Sequence, residues 1–386
     1  MRILISPDGF TGSLTATEVA SAIAAGWHRQ APGDELRVLG LSDGGPGFVD
    51  VIGKARRIEP MLVSVPGPRG LDVPAMMIVD EDPRRGMTAY LESAQVCGLD
   101  LTEPAQRNPW TLSSRGLGYL IGYAIDAGAQ RIVIGLGGTG TVDAGAGLLA
   151  ALGATSATVE SAAESPSPLL EGPAGFTAIT AVDISRAIER AASVEIHVAA
   201  DVDVCLTGPQ GAVLGFARQK FAEPDLVTDD QIAQLAHAVG SFVDAVQAGR
   251  SDLTHAPHTG AAGGIGWALA TIGATLFSGF DTVSRIVDLF DHVAWADLII
   301  TGEGRLDWQT PHGKVVAGVA QAALAHGVPV LAMAGSVELG QRELAAMNIV
   351  EAHGLVDLPG GMTEAMAHPV DALERLSQRV ATQWSR

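Results

Sequence analysis

Apolar residues fall along this chain in two patterns. Short aliphatic runs, Ile3 to Ser6, Leu36 to Leu41, Arg131 to Leu136, Glu195 to Val202, Ala296 to Ile300, Pro329 to Ala334 and Ile349 to Leu355, stop at glycines or charges. Continuous runs of this length predict strands buried on both faces, as in a parallel sheet. Between them the apolar positions shift to helical spacing: from about Ala16 (Val19, Ile23 and Trp27 on one face), from about Asp143 to Leu152, Asp229 to Ala248, 315–326, 340–347, and a closing helix with Val370, Leu373, Leu376 and Val380. Thr15 and Glu18 have the spacing of a capping box at the start of the first helix. From Ile58 to Val96 the runs are separated by Pro66-Gly67-Pro68, Asp82-Pro83 and Arg85-Gly86, which predicts hairpins and not crossover helices. Residues 155–175, rich in Ser, Ala, Glu and Pro, read as a long surface connection without chemistry.

The order of elements predicts an α/β protein of two α/β domains. A flavodoxin- or Rossmann-like parallel-sheet domain is expected from both chain ends (1–65 and 285–386), with a mixed α/β domain (66–284) inserted and the active site in the cleft between them. At 386 residues the chain exceeds what one core usually serves. A net charge of −19 argues against nucleic acid or an anionic membrane as partner and leaves small molecules. Cys97 and Cys205 stand far apart with no Cys/His cluster near them, so neither a disulfide framework nor a zinc site is expected. The early charges of Arg2 and Asp8 do not fit a signal peptide, and no run is long enough to span a membrane; the expectation is a cytoplasmic monomer or homodimer.

Candidate chemistry gathers where predicted strands end. Thr301-Gly302-Glu303-Gly304-Arg305-Leu306-Asp307-Trp308-Gln309-Thr310-Pro311-His312-Gly313-Lys314 follows the run ending at Ile300 and collects carboxylates, a guanidinium, an amide, hydroxyls and an ammonium beside glycines. Asp8 to Leu14, including Ser13, opens the first helix, where free amides favour an anion but capping alone would also explain the residues. Asp43-Gly44-Gly45-Pro46-Gly47 ends the second strand and reads equally as a plain turn. Gly135-Leu136-Gly137-Gly138-Thr139-Gly140 matches GxGxxG in form. The preceding hairpins, and the lack of a strand ending in an acid at the distance a ribose would need, favour phosphate held by its amides over a dinucleotide.

Asp201-Val202-Asp203 places two carboxylates on alternate residues. On a strand these face opposite ways, so one could bind metal or act as base while the other fixes the loop, or both could be structural caps. Gly260-Ala261-Ala262-Gly263-Gly264 could cradle phosphate or merely permit close helix packing. Lysine occurs only at Lys54, Lys220 and Lys314, and the last two lie in candidate loops; a compact ammonium suits a phosphoryl group in transfer. Gly313-Lys314 lacks the glycine spacing and the following Ser or Thr of a Walker A loop.

Taken together, Ser6-Pro7-Asp8, Gly12-Ser13-Leu14, Glu18-Val19-Ala20, Asp43-Gly44-Gly45, Glu92-Ser93-Ala94, Arg107-Asn108-Pro109, Gly137-Gly138, Asp201-Val202-Asp203, Gln219-Lys220, Gly260 to Gly264 and Thr301 to Lys314 resemble the bacterial glycerate kinase family, the two-domain kind that lacks a P-loop. The resemblance runs nearly the whole length. It implies ATP-dependent phosphorylation of D-glycerate, usually at the 2-hydroxyl, with Mg²⁺. On that reading Asp201, Asp203, Arg305, Asp307 and Lys314 are the candidate catalytic residues, and Asp201 and Asp307 the candidate metal ligands. Asp8, Ser13, Asp43, Gly137, Gly138, Thr139, Lys220, Gly263, Gly264, Glu303, Gln309 and Thr310 are expected to bind substrate or phosphate.

Four positions depart from the family pattern. Thr11 stands where the resemblance implies lysine, Pro46 where it implies glutamate, and Val142 and Val204 where it implies asparagine. Two readings therefore stay open: a glycerate kinase, or a family member with an altered hydroxy-acid substrate or one that binds nucleotide or hydroxy acid without turnover.

Overall fold

A computed structural model describes the chain except residues 11, 83–85, 159–166, 247–250, 309, 312–314 and 386, together with the side chains of residues 82 and 251. The chain divides into two compact units, one of Met1–Asp43, Asp50–Arg57 and Phe280–Arg386, the other of Gly44–Val49 and Ile58–Gly279. The sequence pattern placed the changes of domain near residues 65 and 285.

The strands of the two principal sheets are β1 (Arg2–Ile5), β2 (Glu35–Val38), β3 (Met61–Pro66), β4 (Asp72–Asp82), β5 (Gly86–Glu92), β6 (Arg131–Leu136), β7 (Glu195–Ala200), β8 (Thr275–Ser278), β9 (Leu298–Thr301), β10 (Val330–Ala334) and β11 (Ile349–Gly354). In the first unit they form a five-stranded sheet of order β11-β10-β9-β1-β2, parallel throughout. The inner runs work as expected, whereas the edge strands β2 and β11 are only partly buried, with Val38 and Val350 exposed. Ile3, Ile5, Leu298, Ile300, Leu331 and Met333 enter one core with Val19, Ile23 and Trp27 of helix Ala16–Gln30 and Leu373, Leu376 and Val380 of helix Pro369–Trp384. The alternate residues Leu4, Ile299, Val330 and Ala332 are buried on the other face, so both faces are closed. The two helices of the first core cross closely at Gly26, where a Cβ would collide with the backbone of Glu374. Thr15 and Glu18 form the reciprocal capping box. Val370 proves 40 % exposed and off the buried face of the closing helix.

The second unit has a six-stranded mixed sheet of order β8-β7-β6-β5-β4-β3. Its first four strands run parallel, and β5, β4 and β3 pair antiparallel as the meander predicted from the Pro and Gly breaks. Two expectations fail here. The segment 155–175, expected as a surface connection, contributes Leu169 to the core, and its strand Thr155–Thr158 pairs with Ile179–Asp183; just past it Phe176 stacks on Phe242 at 4.7 Å between ring centroids. The segment's polar composition hid the Leu169 anchor. The helix expected from Asp143 begins instead at Ala146, because the Asp143 side chain is engaged as a buried acceptor. Among the described residues no helix is long and apolar enough to cross a membrane.

Candidate active site

In the first unit the functional groups stand at the carboxyl ends of β1, β9 and β10, where a parallel sheet offers its ligand-binding edge. The Asp8 N–H donates to the Gly302 carbonyl at 2.8 Å, and the N–H groups of Gly335, Ser336 and Glu338 donate to the carbonyls of Glu303, Gly304 and Leu306 at 3.3, 3.2 and 2.8 Å. These bonds stitch the loop after β9 between its neighbours and make a short parallel ribbon, Arg305–Leu306 against Ser336–Val337. Gly302 has no room for a side chain, since a Cβ would collide with the Met333 carbonyl oxygen.

Within this frame Glu303, Asp307 and Thr310 come together. The buried Thr310 hydroxyl donates to Glu303 Oε1 at 2.6 Å and accepts the Asp307 N–H at 3.1 Å. Glu303 is itself only 6 % exposed, so its carboxylate is fixed in place by a short charge-assisted bond. Arg305 extends into solvent with its Nε 3.6 Å from the Glu338 carboxylate. Asp8 Oδ1 accepts the Gly9 N–H at 2.7 Å, and the exposed Ser13 hydroxyl donates to the Phe10 carbonyl at 3.0 Å. Asp43 follows the segment in which the Leu41 N–H donates to the Pro7 carbonyl at 2.9 Å. Thr11, Gln309 and Lys314 lie outside the described residues.

In the second unit four loops meet beyond the ends of β5, β6 and β7. Glu92, buried at the end of β5, accepts the N–H of Gly47 on Oε1 and that of Val49 on Oε2, each at 3.1 Å. The turn that carries Gly44 to Val49 is thereby pinned by one side chain. Ser93 Oγ lies 3.2 Å from both the N and the O of Gly137, and the Asp201 N–H donates to the Leu136 carbonyl at 3.2 Å. A Cβ on Gly137 would run into the Asp201 carboxylate, so this glycine lets the acid lie against the backbone of the turn. Gly138 adopts φ +65° and has the Pro46 ring packed where its side chain would be. Pro46 thus fills space against the glycine turn, in the place where the family resemblance implies glutamate.

Beneath the turn lies a buried polar group. Lys220 is 5 % exposed and its ammonium donates to the Thr141 carbonyl at 2.9 Å. Burial pulls its pKa down to about 8, against the opposing pull of Asp201, Asp143 and Cys97. Asp143, wholly buried, accepts four bonds: from the Ser114 N–H and hydroxyl, both at 2.8 Å, and from the N–H groups of Gly145 and Gly147 at 3.1 and 3.2 Å. Burial nevertheless raises its pKa, with those bonds acting in the other direction. The hydroxyls of Thr139 and Thr141 are buried without a hydrogen-bond partner.

Other sequence candidates take different places. Gly263 and Gly264 adopt φ +69° and +91°, and a Cβ on Gly263 would strike the Thr141 carbonyl, while the Gly263 carbonyl accepts the Ala144 N–H at 3.1 Å. They allow the close packing that was the alternative reading of that motif. The strand expected to reach Val202 stops at Ala200, so the alternation of faces does not govern Asp201 and Asp203. Asp201 is half-buried at the glycine turn, whereas the Asp203 side chain is 71 % exposed, 3.8 Å from His258 Nδ1. Among the described residues no group of three or more His, Cys, Asp or Glu could by itself hold a metal ion.

Sequence reasoning did not single out Glu92, Ser93, Thr141 or Asp143 as site residues. Asp143 did carry a signal: a lone carboxylate in the apolar, small-residue run Val142-Asp143-Ala144-Gly145-Ala146 has to find partners if that run is buried. Glu92 carried none in its spacing, because its partners are backbone groups 45 and 43 residues away.

A parallel sheet and a mixed sheet, each ending in glycine-rich loops that hold acids, define a two-unit α/β protein. Comparison with known proteins then places it. The family model described as "Glycerate kinase family" matches residues 3–385, and the chain belongs to this family. It is 39 % identical to glycerate kinase of Bacillus subtilis (strain 168), over 99 % of this chain and 97 % of that one. It is 34 % identical to glycerate 2-kinase of Escherichia coli (strain K12), over 99 % and 97 % of the two chains. The crystal structure of a presumed glycerate kinase 2 from Salmonella typhimurium LT2 matches with a TM-score of 0.79 at 35 % identity, covering 100 % of this chain and 98 % of that one.

Proposed function

We propose that this protein transfers the γ-phosphoryl group of ATP to D-glycerate at its 2-hydroxyl, releasing ADP and 2-phosphoglycerate in the cytoplasm. It is a phosphotransferase with an alcohol group as acceptor, as its family implies. The choice of the 2-position rests on the Escherichia coli relative, named glycerate 2-kinase. The observation that carries the chemistry is the Asp201 carboxylate lying against Gly137 in a glycine turn at the end of two parallel strands.

In this reading the amides of Gly137, Gly138 and Thr139 hold phosphate oxygens. An acid, Asp201 or Asp307, takes the proton of the attacking hydroxyl as its oxygen bonds to phosphorus and ADP departs. Mg²⁺ bound with ATP would neutralise charge on the transferred group. It needs only one or two protein carboxylates, which Asp201 or Asp307 supplies at a strand end without a three-ligand cluster. Glu303, held by Thr310, keeps the loop bearing Asp307 in place, and the exposed Arg305 is available to a carboxylate or phosphate. Lys314 is the ammonium we assign to the phosphates, and Lys314→Ala is expected to lower turnover well over tenfold, as for loss of a transition-state charge partner.

A coupled assay of ADP release over a panel of hydroxy acids, with the product of D-glycerate identified by phosphorus NMR, tests the reading. ADP release with D-glycerate and a 2-phosphoglycerate signal supports it. Release only with another hydroxy acid points to altered specificity, and ATP binding without release from any acid points to a non-catalytic binder.

A further inference from the structure

Two motifs that the chemistry above leaves unused, Arg107-Asn108-Pro109 and Gln219-Lys220, meet in the second unit. The Ala222 N–H donates to the Arg107 carbonyl at 2.9 Å, and beside this junction opens a cavity of about 620 Å³. Trp110, Phe221 and Leu226 supply apolar lining, and Gln106, Asn108 and Gln231 are the amide-bearing residues of the lining. Each amide has its oxygen engaged: Gln106 Oε1 by the Arg69 guanidinium, Asn108 Oδ1 by the Trp110 N–H at 3.1 Å, and Gln231 Oε1 by the Thr228 N–H at 2.8 Å. Because donors fix those oxygens, the groups left to a ligand are NH₂ donors.

The depression is open, with Leu226 exposed in its lining, and its volume far exceeds a three-carbon acid. The cavity is poorly suited to phosphate, since its charged groups are Arg107, which donates to the Thr102 carbonyl and stands 3.5 Å from Asp100, and Glu223. Aromatic lining from Trp110 and Phe221 with amide donors beside it suits a planar heterocycle whose edge carries ring nitrogens. Both walls lead to the glycine turn. Thr139 bridges Gly98, from which two short 3₁₀ turns, Leu99–Leu101 and Pro104–Gln106, run to Arg107. On the other side Lys220 bonds the Thr141 carbonyl, and the next residue is Phe221.

We propose that this cavity receives the purine base of ATP while the Gly137–Thr139 turn receives its phosphates. The inference rests on the reading of the protein as an ATP-dependent kinase and adds where the base is held.

Two substitutions test it in the full chain. Ala105→Phe places bulk in the lining without removing an observed hydrogen bond, and Asn108→Asp keeps the acceptor for the Trp110 N–H while replacing the NH₂ donor by an oxygen. Each is expected to raise the Kd for ATP at least tenfold by calorimetry, with the KM for D-glycerate within about twofold of the parent, for differences below roughly 0.4 kcal/mol. Inorganic tripolyphosphate, which has no base, should bind parent and variants alike. If both variants bind ATP as the parent does while D-glycerate still drives ADP release, the base site is wrong and the kinase reading stands. If ATP binds, the variants weaken it, and no hydroxy acid drives ADP release, the base site stands and the kinase reading falls. A parent protein with no affinity for ATP overturns both.

Discussion

The ammonium of Lys220 donates to the carbonyl oxygen of Thr141 at 2.9 Å from a position only 5 % exposed. A buried lysine held at a pKa of about 8 makes stability depend on pH in a defined direction. Between about pH 8 and its ordinary value of 10.5 the unfolded chain binds more protons than the folded one, so this group's contribution to stability rises with pH across that window. Its destabilising effect is fully present below pH 8. Lys220→Met should flatten that segment: urea midpoints of parent and variant, measured at pH 7.5 and pH 10, should shift in the parent's favour at the higher pH. An unchanged difference would contradict the assignment.

Glu92 anchors two backbone N–H groups with two oxygens. Glu92→Gln leaves one oxygen and turns an NH₂ towards a donor, which costs about 1–3 kcal/mol for an unsatisfied buried group. The urea midpoint should fall accordingly. Glu92→Ala should fall no less, and both should reduce kcat for D-glycerate because the turn from Gly44 to Val49 loses its anchor.

Asp201 and Asp203 should separate cleanly on substitution. Asp201→Asn removes a carboxylate packed against Gly137 and is expected to lower kcat by about 10²-fold or more, the order of a lost acid–base or electrostatic partner. Asp203→Asn alters an exposed side chain and should leave kcat within about threefold, a change of under roughly 1 kcal/mol. Melting temperatures measured beside the kinetics would show whether either loss is one of folding.

Thr310→Val deletes the hydroxyl that donates to Glu303 and accepts from Asp307 while keeping nearly the same volume. The variant should lose about 1–3 kcal/mol in urea unfolding, since a buried carboxylate loses a short charge-assisted bond. Thr310→Ser, which restores the hydroxyl, should recover most of both stability and turnover.

Short-range regularities made much of this protein legible from its sequence. The aliphatic runs at Ile3, Arg131, Leu298 and Val330 became parallel strands because so apolar a segment is stable only with both faces covered. Thr15 and Glu18 capped their helix because capping is decided within four residues. The meander of β3, β4 and β5 followed from its Pro and Gly breaks, and the glycine turn at Gly137 from its place at a strand end. Tertiary structure alone decided the rest. Strand β7 ends at Ala200 and Asp201 turns to the Gly137 backbone, which no alternation along the strand could state. Lys220 went under the turn to the carbonyl of a residue 79 positions away, although its scarcity and charge suggested contact with phosphate. Leu169 went into the core from a segment whose average composition is polar, because burial is set residue by residue by what packs alongside. Glu92 joined two backbone groups more than forty positions earlier because the fold brought the turn at Gly47 and Val49 to it. Local chemistry sets the elements, whereas the partners of buried polar groups depend on which distant chain segments the fold brings within hydrogen-bond reach.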